Sequence, residues 1–411
     1  MEQQSMSSQT RWLLTLTMFV ASGCVYYSQP VLPQIADSLG VSHVQAGLIS
    51  SATLLGFGLG LLLVAPLADV LEKRRLMVTL LWIDGALFAI AAISHNFGVF
   101  LAISFFTGMS AISGQIAIPY VARLSAPQER GRNLGTLLSG ALIGILLART
   151  GSGFIAGHFG WRAVYLIGAG LMVALGALLR KSLPPDPGAA SIEYRELLQS
   201  VWSLFSGIRQ LRFIALNGAL MYAALTGFWV TLSFLLNGSR FHFGPEAVGM
   251  FGLVGALSAG CVSFAGSMAD RINPRSIVQC CIGLMLVGYL ALGFGAGSIA
   301  LLIVGTILLD IGAQAATVSN QTQLYRLNSG AQSRLNTIYK LFYNLGGTVG
   351  AALAGLAWQT WGWAGVCATG IGFLFLALTV EWIAHSLGSR EARILDRVES
   401  GETEPCAEQT V

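Results

Sequence analysis

Apolar segments of about 20 residues recur along nearly the whole chain, from Trp12 to His385. A helix of this length spans the hydrocarbon core of a lipid bilayer. Only 10% of the residues are Asp, Glu, Lys or Arg, against about 25% in an ordinary soluble domain. Because soluble helices of this length carry a polar face that these segments lack, the sequence predicts an all-α integral membrane protein that lies in a lipid bilayer.

Charges, prolines and polar clusters divide the chain into twelve predicted transmembrane spans. Their approximate limits are 12–32, 44–66, 76–94, 97–121, 133–157, 161–180, 212–236, 246–269, 276–295, 297–320, 335–359 and 362–386. Of the 23 Lys and Arg residues, 20 fall on one side of this arrangement, and only Arg162 and Arg240 fall on the other. Lys and Arg favour cytoplasmic loops, so we expect a protein of the cytoplasmic (inner) membrane with both termini in the cytoplasm.

An internal repeat relates the two halves of the chain at a constant offset of 202 residues. Arg132, Gly144, Gly153, Gly160, Trp161, Gly168 and Gly170 recur as Arg334, Gly346, Gly355, Gly362, Trp363, Gly370 and Gly372. Parallel repeats of six spans are an arrangement of transporters whose site lies between the halves. The sequence therefore predicts pseudo-symmetric six-helix bundles at 1–180 and 212–386, joined by a cytoplasmic linker at 181–211 and followed by a polar tail at 387–411. Periodic apolar residues in the linker predict a helix on the membrane surface, and a plain linker is the alternative.

Two loops and two spans carry a family resemblance. Residues 65–75 read APLADVLEKRR and resemble the signature loop of the major facilitator superfamily, and a second copy ends at Asp270 and Arg271. Residues 26–30 (YYSQP) and the polar residues of span 10 are similar to those of bacterial twelve-span drug and sugar efflux permeases. The resemblance implies the major facilitator fold, alternating access, a small-molecule substrate, a monomer and no cofactor. In span 5, Ala148 and Arg149 stand where efflux antiporters typically have glycine and proline, which leaves the direction of transport open.

The signature loop predicts a conformational latch between the halves. Asp69 lies at the C-terminal end of span 2, where the helix dipole disfavours an anion, so it needs a basic partner. The latch candidates are Asp69, Arg74, Arg75, Arg130, Arg132, Asp270, Arg271, Arg275 and Arg334. The resemblance implies that such contacts hold an outward-open state, and an ordinary solvated loop is the alternative because exposed ion pairs contribute little.

Three charged residues fall well inside predicted spans: Asp84, Arg149 and Asp310. An ionised side chain near the bilayer centre costs at least about 2.5–3.5 kcal/mol, so each of them needs a partner or a function. In the resembled fold span 10 lines the pathway, so Asp310 is the candidate proton carrier. The helical rise puts Arg149 at a similar depth, which predicts an Arg149–Asp310 charge pair. A fixed structural pair is the alternative, and for Asp84 we expect an interhelical hydrogen bond.

Polar and aromatic residues of the predicted cavity helices are the candidate substrate pathway. They are Tyr26, Tyr27, Gln29, Gln115, Tyr222, Trp229, Gln314, Asn320, Tyr343 and Asn344. A mixed aromatic and amide lining suits a small organic molecule, although each residue could instead make an interhelical contact.

The sequence as a whole predicts a secondary active transporter that moves a drug, sugar or metabolite outward in exchange for protons. Proton symport or facilitated exchange of a polar or anionic metabolite is the alternative. A membrane enzyme or a non-transporting sensor is less favoured, since the sequence has no catalytic constellation or signalling domain. No metal, cofactor or nucleic-acid partner is expected.

Overall fold

A computed structural model describes residues 6–126, 128–184, 194–255, 273–327 and 331–399, with side chains as far as Leu387. All regular structure in these ranges is helical. The N-terminal half contains α1 (Ser8–Cys24), α2 (Leu32–Leu39), α3 (His43–Leu63), α4 (Leu67–Val70), α5 (Lys73–Ile93), α6 (Phe97–Ser110), α7 (Ser113–Leu124), α8 (Arg130–Phe159) and α9 (Trp161–Ser182). After α10 (Tyr194–Gly207), the C-terminal half contains α11 (Arg209–Asn237), α12 (245–255), α13 (Pro274–Phe294), α14 (Ile299–Leu327) and α15 (Gln332–Glu399).

The lengths of these helices confirm the all-α membrane fold. Within the described ranges, nine helical segments are long and apolar enough to cross a membrane. The last of them turns at Gly362, whose φ of 60° and ψ of −147° are not helical, so it contains predicted spans 11 and 12. Predicted span 1 contains most of α1 and the turn that leads into α2, and predicted span 8 is described only as far as residue 255. The count of twelve spans stays a prediction.

Two predicted spans are interrupted near the middle of the fold. The chain leaves the helix after Cys24 and re-enters through a 3-10 turn at Gln29–Val31, where Pro30 lacks a backbone N–H. This break, which the sequence did not predict, places Tyr26 between the two helices and Gln29 at the start of the 3-10 turn. Predicted span 4 is likewise divided, because α6 ends at Ser110 and α7 begins at Ser113.

The internal repeat is visible as the same turn in both halves. Gly160, between α8 and α9, has a φ of 79°, and its repeat partner Gly362 has a φ of 60°. Glycine adopts positive φ without the steric cost that a Cβ brings. The following tryptophans, Trp161 and Trp363, are both buried. The duplication therefore preserves the conformation of this turn as well as its residues.

Each half is a helical bundle, and several pairs of helices connect the two halves. In the N-terminal half α1 packs against α8, α3 against α6 and α5 against α9. In the C-terminal half α11 packs against α15, and α13 against α14. Between the halves, α3 packs against α15 and α2 against α11.

Glycines allow α8 to approach helices of both halves closely. A Cβ at Gly140 would come within 2.7 Å of a methyl group of Thr15 in α1. Further along, α8 contacts α12, where a Cβ at Gly249 would come within 2.9 Å of the backbone oxygen of Arg149. Thr150 donates a hydrogen bond of 2.9 Å to the Gly249 carbonyl at the same place. Small residues thus bring the two halves into direct backbone contact beside Arg149.

The linker is partly helical, in the form of α10. Val201, Phe205 and Ile208 pack on the C-terminal half, and the ring of Phe205 stacks on Phe342 at 4.9 Å. At the start of α10, the Tyr194 hydroxyl donates a 2.7 Å hydrogen bond to the Leu63 carbonyl of α3. Helix α10 therefore contacts both halves. Residues 185–193 of the predicted linker lie outside the described residues, and the last helix extends to Glu399, into the predicted tail.

Candidate substrate and coupling site between the two halves

Arg149 is the centre of a buried cluster at the junction of the halves. It lies in α8 with 7% of its surface exposed, and its Nε donates a 2.9 Å hydrogen bond to Oε1 of Gln29. The guanidinium carbon lies 4.9 Å from the ring centre of Tyr26 and 3.8 Å from that of Trp229. Trp229 belongs to α11, so this cation–π contact joins the two halves. A desolvated contact of this kind is worth about 2 kcal/mol or more.

Trp229 also connects Arg149 with Asp310. The indole N–H donates a 3.2 Å hydrogen bond to Oδ1 of Asp310, which is 5% exposed in α14. The other carboxylate oxygen lies beside α12, since a Cβ at Gly255 would come within 2.8 Å of it. Among the described residues, no nitrogen of Arg149 lies within 4.0 Å of an Asp310 oxygen. The two opposite charges therefore contact the same indole, Arg149 at the ring face and Asp310 at the N–H group.

Three tyrosines extend the cluster along the junction. The hydroxyls of Tyr26 and Tyr222 are 3.0 Å apart, and the rings of Tyr222 and Tyr343 stack at 3.8 Å with an interplanar angle of 16°. The ammonium group of Lys340 lies 5.1 Å from the ring centre of Tyr343. Predicted spans 1, 5, 7, 10 and 11 thus contribute to one continuous arrangement of aromatic and charged side chains.

A small void adjoins the tyrosines. It is lined by Gly218, Met221, Tyr222, Ala313, Ala316, Thr317, Asn320, Tyr339 and Tyr343. Within the described part of the chain, neither amide atom of Asn320 nor the hydroxyl of Tyr339 makes a well-formed hydrogen bond. Buried polar groups without partners are uncommon in folded proteins. These two residues are therefore the polar groups beside the cluster that a solute could satisfy.

The other pathway candidates lie at different places. The ring of Tyr27 packs against Phe88, inside the N-terminal half, at 5.9 Å. Asn344 donates a hydrogen bond to the carbonyl of Lys340. A Cβ at Gly58 of α3 would lie 3.2 Å from the Cβ of Asn344, so Asn344 belongs to the contact of α3 with α15. Gln115 and Gln314 are half-buried in α7 and α14.

Two ends of the molecule can be distinguished around this cluster. One, the basic end, carries the helix termini at Arg11, Arg74, Arg130, Arg275 and Arg326. Three contacts lie at the opposite end: the amide of Gln34 donates to the Ala156 carbonyl at 3.4 Å, His43 stacks on Phe234 at 4.6 Å, and His158 lies 4.0 Å from Glu246. Of these contacts, the last two join the two halves. The opposite end is therefore closed.

The latch candidates at the basic end make contacts within their own half. Arg74 forms a 3.0 Å ion pair with Glu72 and donates a 2.9 Å hydrogen bond to the Leu183 carbonyl, which ends α9. Asp69 is exposed and, within the described ranges, forms no ion pair. Arg75, Arg130 and Arg132 are exposed, Arg334 is half-buried and Arg275 borders a cavity described below. Asp270 and Arg271 lie outside the described residues.

Asp84 lies apart from the cluster, completely buried in the N-terminal half. The Ser110 hydroxyl at the break between α6 and α7 donates a hydrogen bond to its Oδ1. This is the interhelical hydrogen bond that we expected for Asp84. The sequence interpretation missed the Thr150–Gly249 contact, for which the spacing of Gly249, Gly252 and Gly255 on α12 was the available signal.

A membrane fold of two helical halves, with a buried charged and aromatic cluster at their junction, defines a transporter that can expose one site to the two sides of the membrane in turn. The sequence profile of the Major Facilitator Superfamily matches residues 14–275 and 214–394. The chain belongs to this superfamily, and it is a transporter rather than an enzyme.

Individual relatives agree with this assignment. The chain is 36% identical over 373 residues to the uncharacterized transporter YgaY of Escherichia coli O157:H7, covering 90% of this chain and 95% of that protein. It is 24% identical over 384 residues to the inner membrane transport protein YnfM of Escherichia coli K12, covering 90% of each. A bacterial homologue of the human lysosomal transporter Spinster, in an inward-facing and occupied conformation, has a TM-score of 0.73 at 13% identity, covering 92% of this chain and 97% of that one. The last likeness concerns the fold alone.

Proposed function

We propose that this protein is a proton-coupled secondary transporter that exports a small organic solute by alternating access. One observation carries the proposal: Arg149 of one half and Asp310 of the other are buried on either side of Trp229, which contacts both. Buried charges near the bilayer centre are costly and mark ion and substrate pathways. A proton that binds Asp310 would act directly on the contact between the halves.

The physical basis of the coupling is the change in the charge of Asp310. When the carboxyl group is ionised, it balances Arg149 across the indole and accepts a charge-assisted hydrogen bond. A hydrogen bond to a charged group is worth about 1 kcal/mol more than a neutral one. Protonation of Asp310 therefore lowers the equilibrium constant for forming the Trp229–Asp310 contact roughly fivefold. Protonation also leaves Arg149 without its counter-charge. Solute binding supplies the remaining free energy for the conformational change.

The solute site forms at the void beside the three tyrosines, which is too small for a water molecule in this conformation and has to widen when the halves move. The stacked rings of Tyr222 and Tyr343 offer an aromatic surface, and Asn320 and Tyr339 offer hydrogen-bonding groups without well-formed partners. A mostly apolar pocket with a few polar groups is the usual site for a small organic molecule. The protein works as a monomer, because the two halves of one chain supply the complete cluster of Arg149, Trp229 and Asp310 beside this void.

The conformational cycle closes one end of the molecule while it opens the other. Contacts at the opposite end, and an Asp69 that forms no ion pair within the described ranges, are the features expected of an inward-facing state, if the basic end faces the cytoplasm. In the outward-open state we propose that Asp69 pairs with Arg334 at the start of α15, and that Asp270, by the repeat, pairs with Arg130 or Arg132 near the start of α8, so that each pair joins the two halves. Such pairs form and break readily, because exposed ion pairs are worth about 1 kcal/mol or less.

A second candidate function is the uptake or exchange of an anionic metabolite. It is favoured by an excess of positive charge in the cluster. Two cationic side chains, Arg149 and Lys340, lie at its two ends, whereas Asp310 supplies one carboxyl group. An anionic solute would then take the place of the ionised carboxyl group as the counter-charge of Arg149.

The proposed location is the bacterial inner membrane, with both termini in the cytoplasm. The support is the distribution of Lys and Arg, together with the name of the relative YnfM. A reporter enzyme fused after Val411 should be active only in the cytoplasm, and one inserted near Asn237 only outside. An external C-terminus would contradict the proposed orientation.

The experiment that tests the proposed function is solute counterflow in proteoliposomes, followed by transport driven by a pH gradient. A panel of drugs, sugars and organic anions identifies the exchanged solute. Export coupled to protons predicts accumulation of this solute on the acidic side of the membrane, whereas symport predicts accumulation on the alkaline side. Exchange that is indifferent to the gradient would exclude proton coupling.

A further inference from the structure

A separate cavity of about 290 Å³ lies at the basic end of the C-terminal half. It is bordered by the start of α11, the start of α13, the end of α14 and the last predicted span in α15. None of the residues of the central cluster lines it. The chemistry of its lining therefore has to be explained independently of the proposed transport site.

The described lining of the cavity is rich in arginine. Arg209, Arg275 and Arg326 line it, and Glu381 is the one acidic residue among the described residues of the lining. Glu381 is buried, and the charge of Arg275 acts on it, so these two largely balance each other. Arg209 and Arg326 are more exposed, and both add guanidinium groups to the lining.

Backbone and side-chain donors add to this charge. Helix α11 begins at Arg209 and α13 begins at Pro274, so two helix N-termini border the cavity, and each favours an anion. The side-chain Nε2 of Gln323 is buried and, in the described part of the chain, has no hydrogen-bond partner. The cavity thus combines positive charge with an amide donor that lacks an acceptor.

The remaining walls are apolar. Phe213 and Ile214 of α11, Leu327 of α14 and Leu387 of α15 line the same cavity. The guanidinium of Arg209 lies 5.9 Å from the ring centre of Phe213, where the polar and apolar parts meet. A ligand that carries both an oxyanion and hydrocarbon matches this combination.

We propose that this cavity binds a phosphate group, and that the phosphate is the headgroup of an anionic phospholipid. Arginine pairs with phosphate oxygens through two parallel N–H donors, and basic pockets between transmembrane helices on the cytoplasmic side hold anionic headgroups. Because α11, α13, α14 and α15 all border the cavity, a bound headgroup connects four helices of one half. Free inorganic phosphate shares the oxyanion chemistry and is the competing source.

Lipid retention by the purified transporter tests the proposal. The protein is placed in nanodiscs of phosphatidylcholine, titrated with phosphatidylglycerol, and the retained lipid is measured by native mass spectrometry. The double variant Arg209→Gln/Arg326→Gln removes two exposed charges of the cavity. Each arginine near an anionic headgroup contributes about fivefold, so the affinity should fall roughly 25-fold. The matched control Arg180→Gln removes an exposed arginine at the basic end of the other half and should leave the affinity within about twofold.

A competition arm distinguishes the two sources of phosphate. Inorganic phosphate at millimolar concentration should not displace phosphatidylglycerol if the hydrocarbon walls take part in binding. Displacement by phosphate, with the same loss in the double variant, would assign the cavity to a free oxyanion and overturn the lipid assignment. Equal retention of phosphatidylglycerol by the wild type and the double variant would overturn the site itself. Circular dichroism of each variant verifies that it is folded.

Discussion

Replacement of Arg149 by alanine is the perturbation that most directly probes the buried cluster. The substitution removes a cation–π contact worth about 2 kcal/mol and a hydrogen bond from a charged group worth about 1.5–3 kcal/mol. It also leaves Asp310 without its opposite charge. The expected loss in the free energy of unfolding is therefore about 3.5–5 kcal/mol, close to the 3–5 kcal/mol typical of breaking a buried ion pair.

The second substitution, Asp310→Asn, should recover part of this loss. Asparagine can still accept the indole hydrogen bond of Trp229 but carries no charge, so it removes the unbalanced carboxylate. For the double variant Arg149→Ala/Asp310→Asn, we expect a loss in the free energy of unfolding that is smaller than the sum of the two single losses. The difference should be about 1–3 kcal/mol, which is typical of interacting residues.

Equilibrium unfolding with dodecyl sulfate in mixed micelles, followed by tryptophan fluorescence, measures the free energy of unfolding of the wild type, the two single variants and the double variant. A matched control is Arg162→Ala, because Arg162 also stacks on a tryptophan, Trp161, at 4.4 Å but at a partly exposed position. That contact is worth about 0.5–1 kcal/mol. A coupling below about 0.5 kcal/mol between Arg149 and Asp310 would refute the interaction across Trp229.

Three further substitutions test separate parts of the site. Trp229→Phe keeps an aromatic ring beside Arg149 but removes the N–H that binds Asp310, so gradient-driven transport should fall at least about fivefold while counterflow persists; equal losses of both would contradict this role. Gly249→Val places side-chain atoms against the backbone of α8, so the variant should lose transport, and cysteines placed on α8 and α12 should no longer cross-link. The control Gly283→Val, at an open helical position, should behave as the wild type. Asp84→Asn still accepts the serine hydroxyl of α6 and should fold and transport normally, and a loss of proton coupling in this variant would assign Asp84 a part in the mechanism.

The sequence could predict the membrane fold and the depth of the charged residues because both depend on position along a helix. Apolar segment length determines which residues span the bilayer, and a rise of 1.5 Å per residue determines how deep Arg149 and Asp310 lie. Both side chains do contact the same tryptophan. Arg149 and Asp310 could be singled out from the sequence because charged side chains are rare inside transmembrane spans.

The sequence could not predict the arrangement around the helix axes. Depth does not determine rotation, so it could not show that Trp229 lies between the two charges, or that Asn344 faces α3. Tyr26 and Tyr27 are neighbours in a segment that the sequence treated as regular helix. The break before Pro30 decides that Tyr26 meets Arg149 whereas Tyr27 packs against Phe88. Helix breaks arise from local backbone geometry, which hydropathy does not report.

The coupling of proton movement to solute movement through Asp310 is measured most directly with a pH-sensitive dye inside proteoliposomes. After the transported solute is identified by counterflow, its addition should move protons across the membrane of wild-type vesicles in the direction opposite to the solute. Asp310→Asn should abolish the proton signal and leave solute counterflow at a substantial fraction of the wild-type rate. A full proton signal from Asp310→Asn would contradict the proposed role of the cluster that joins Arg149, Trp229 and Asp310.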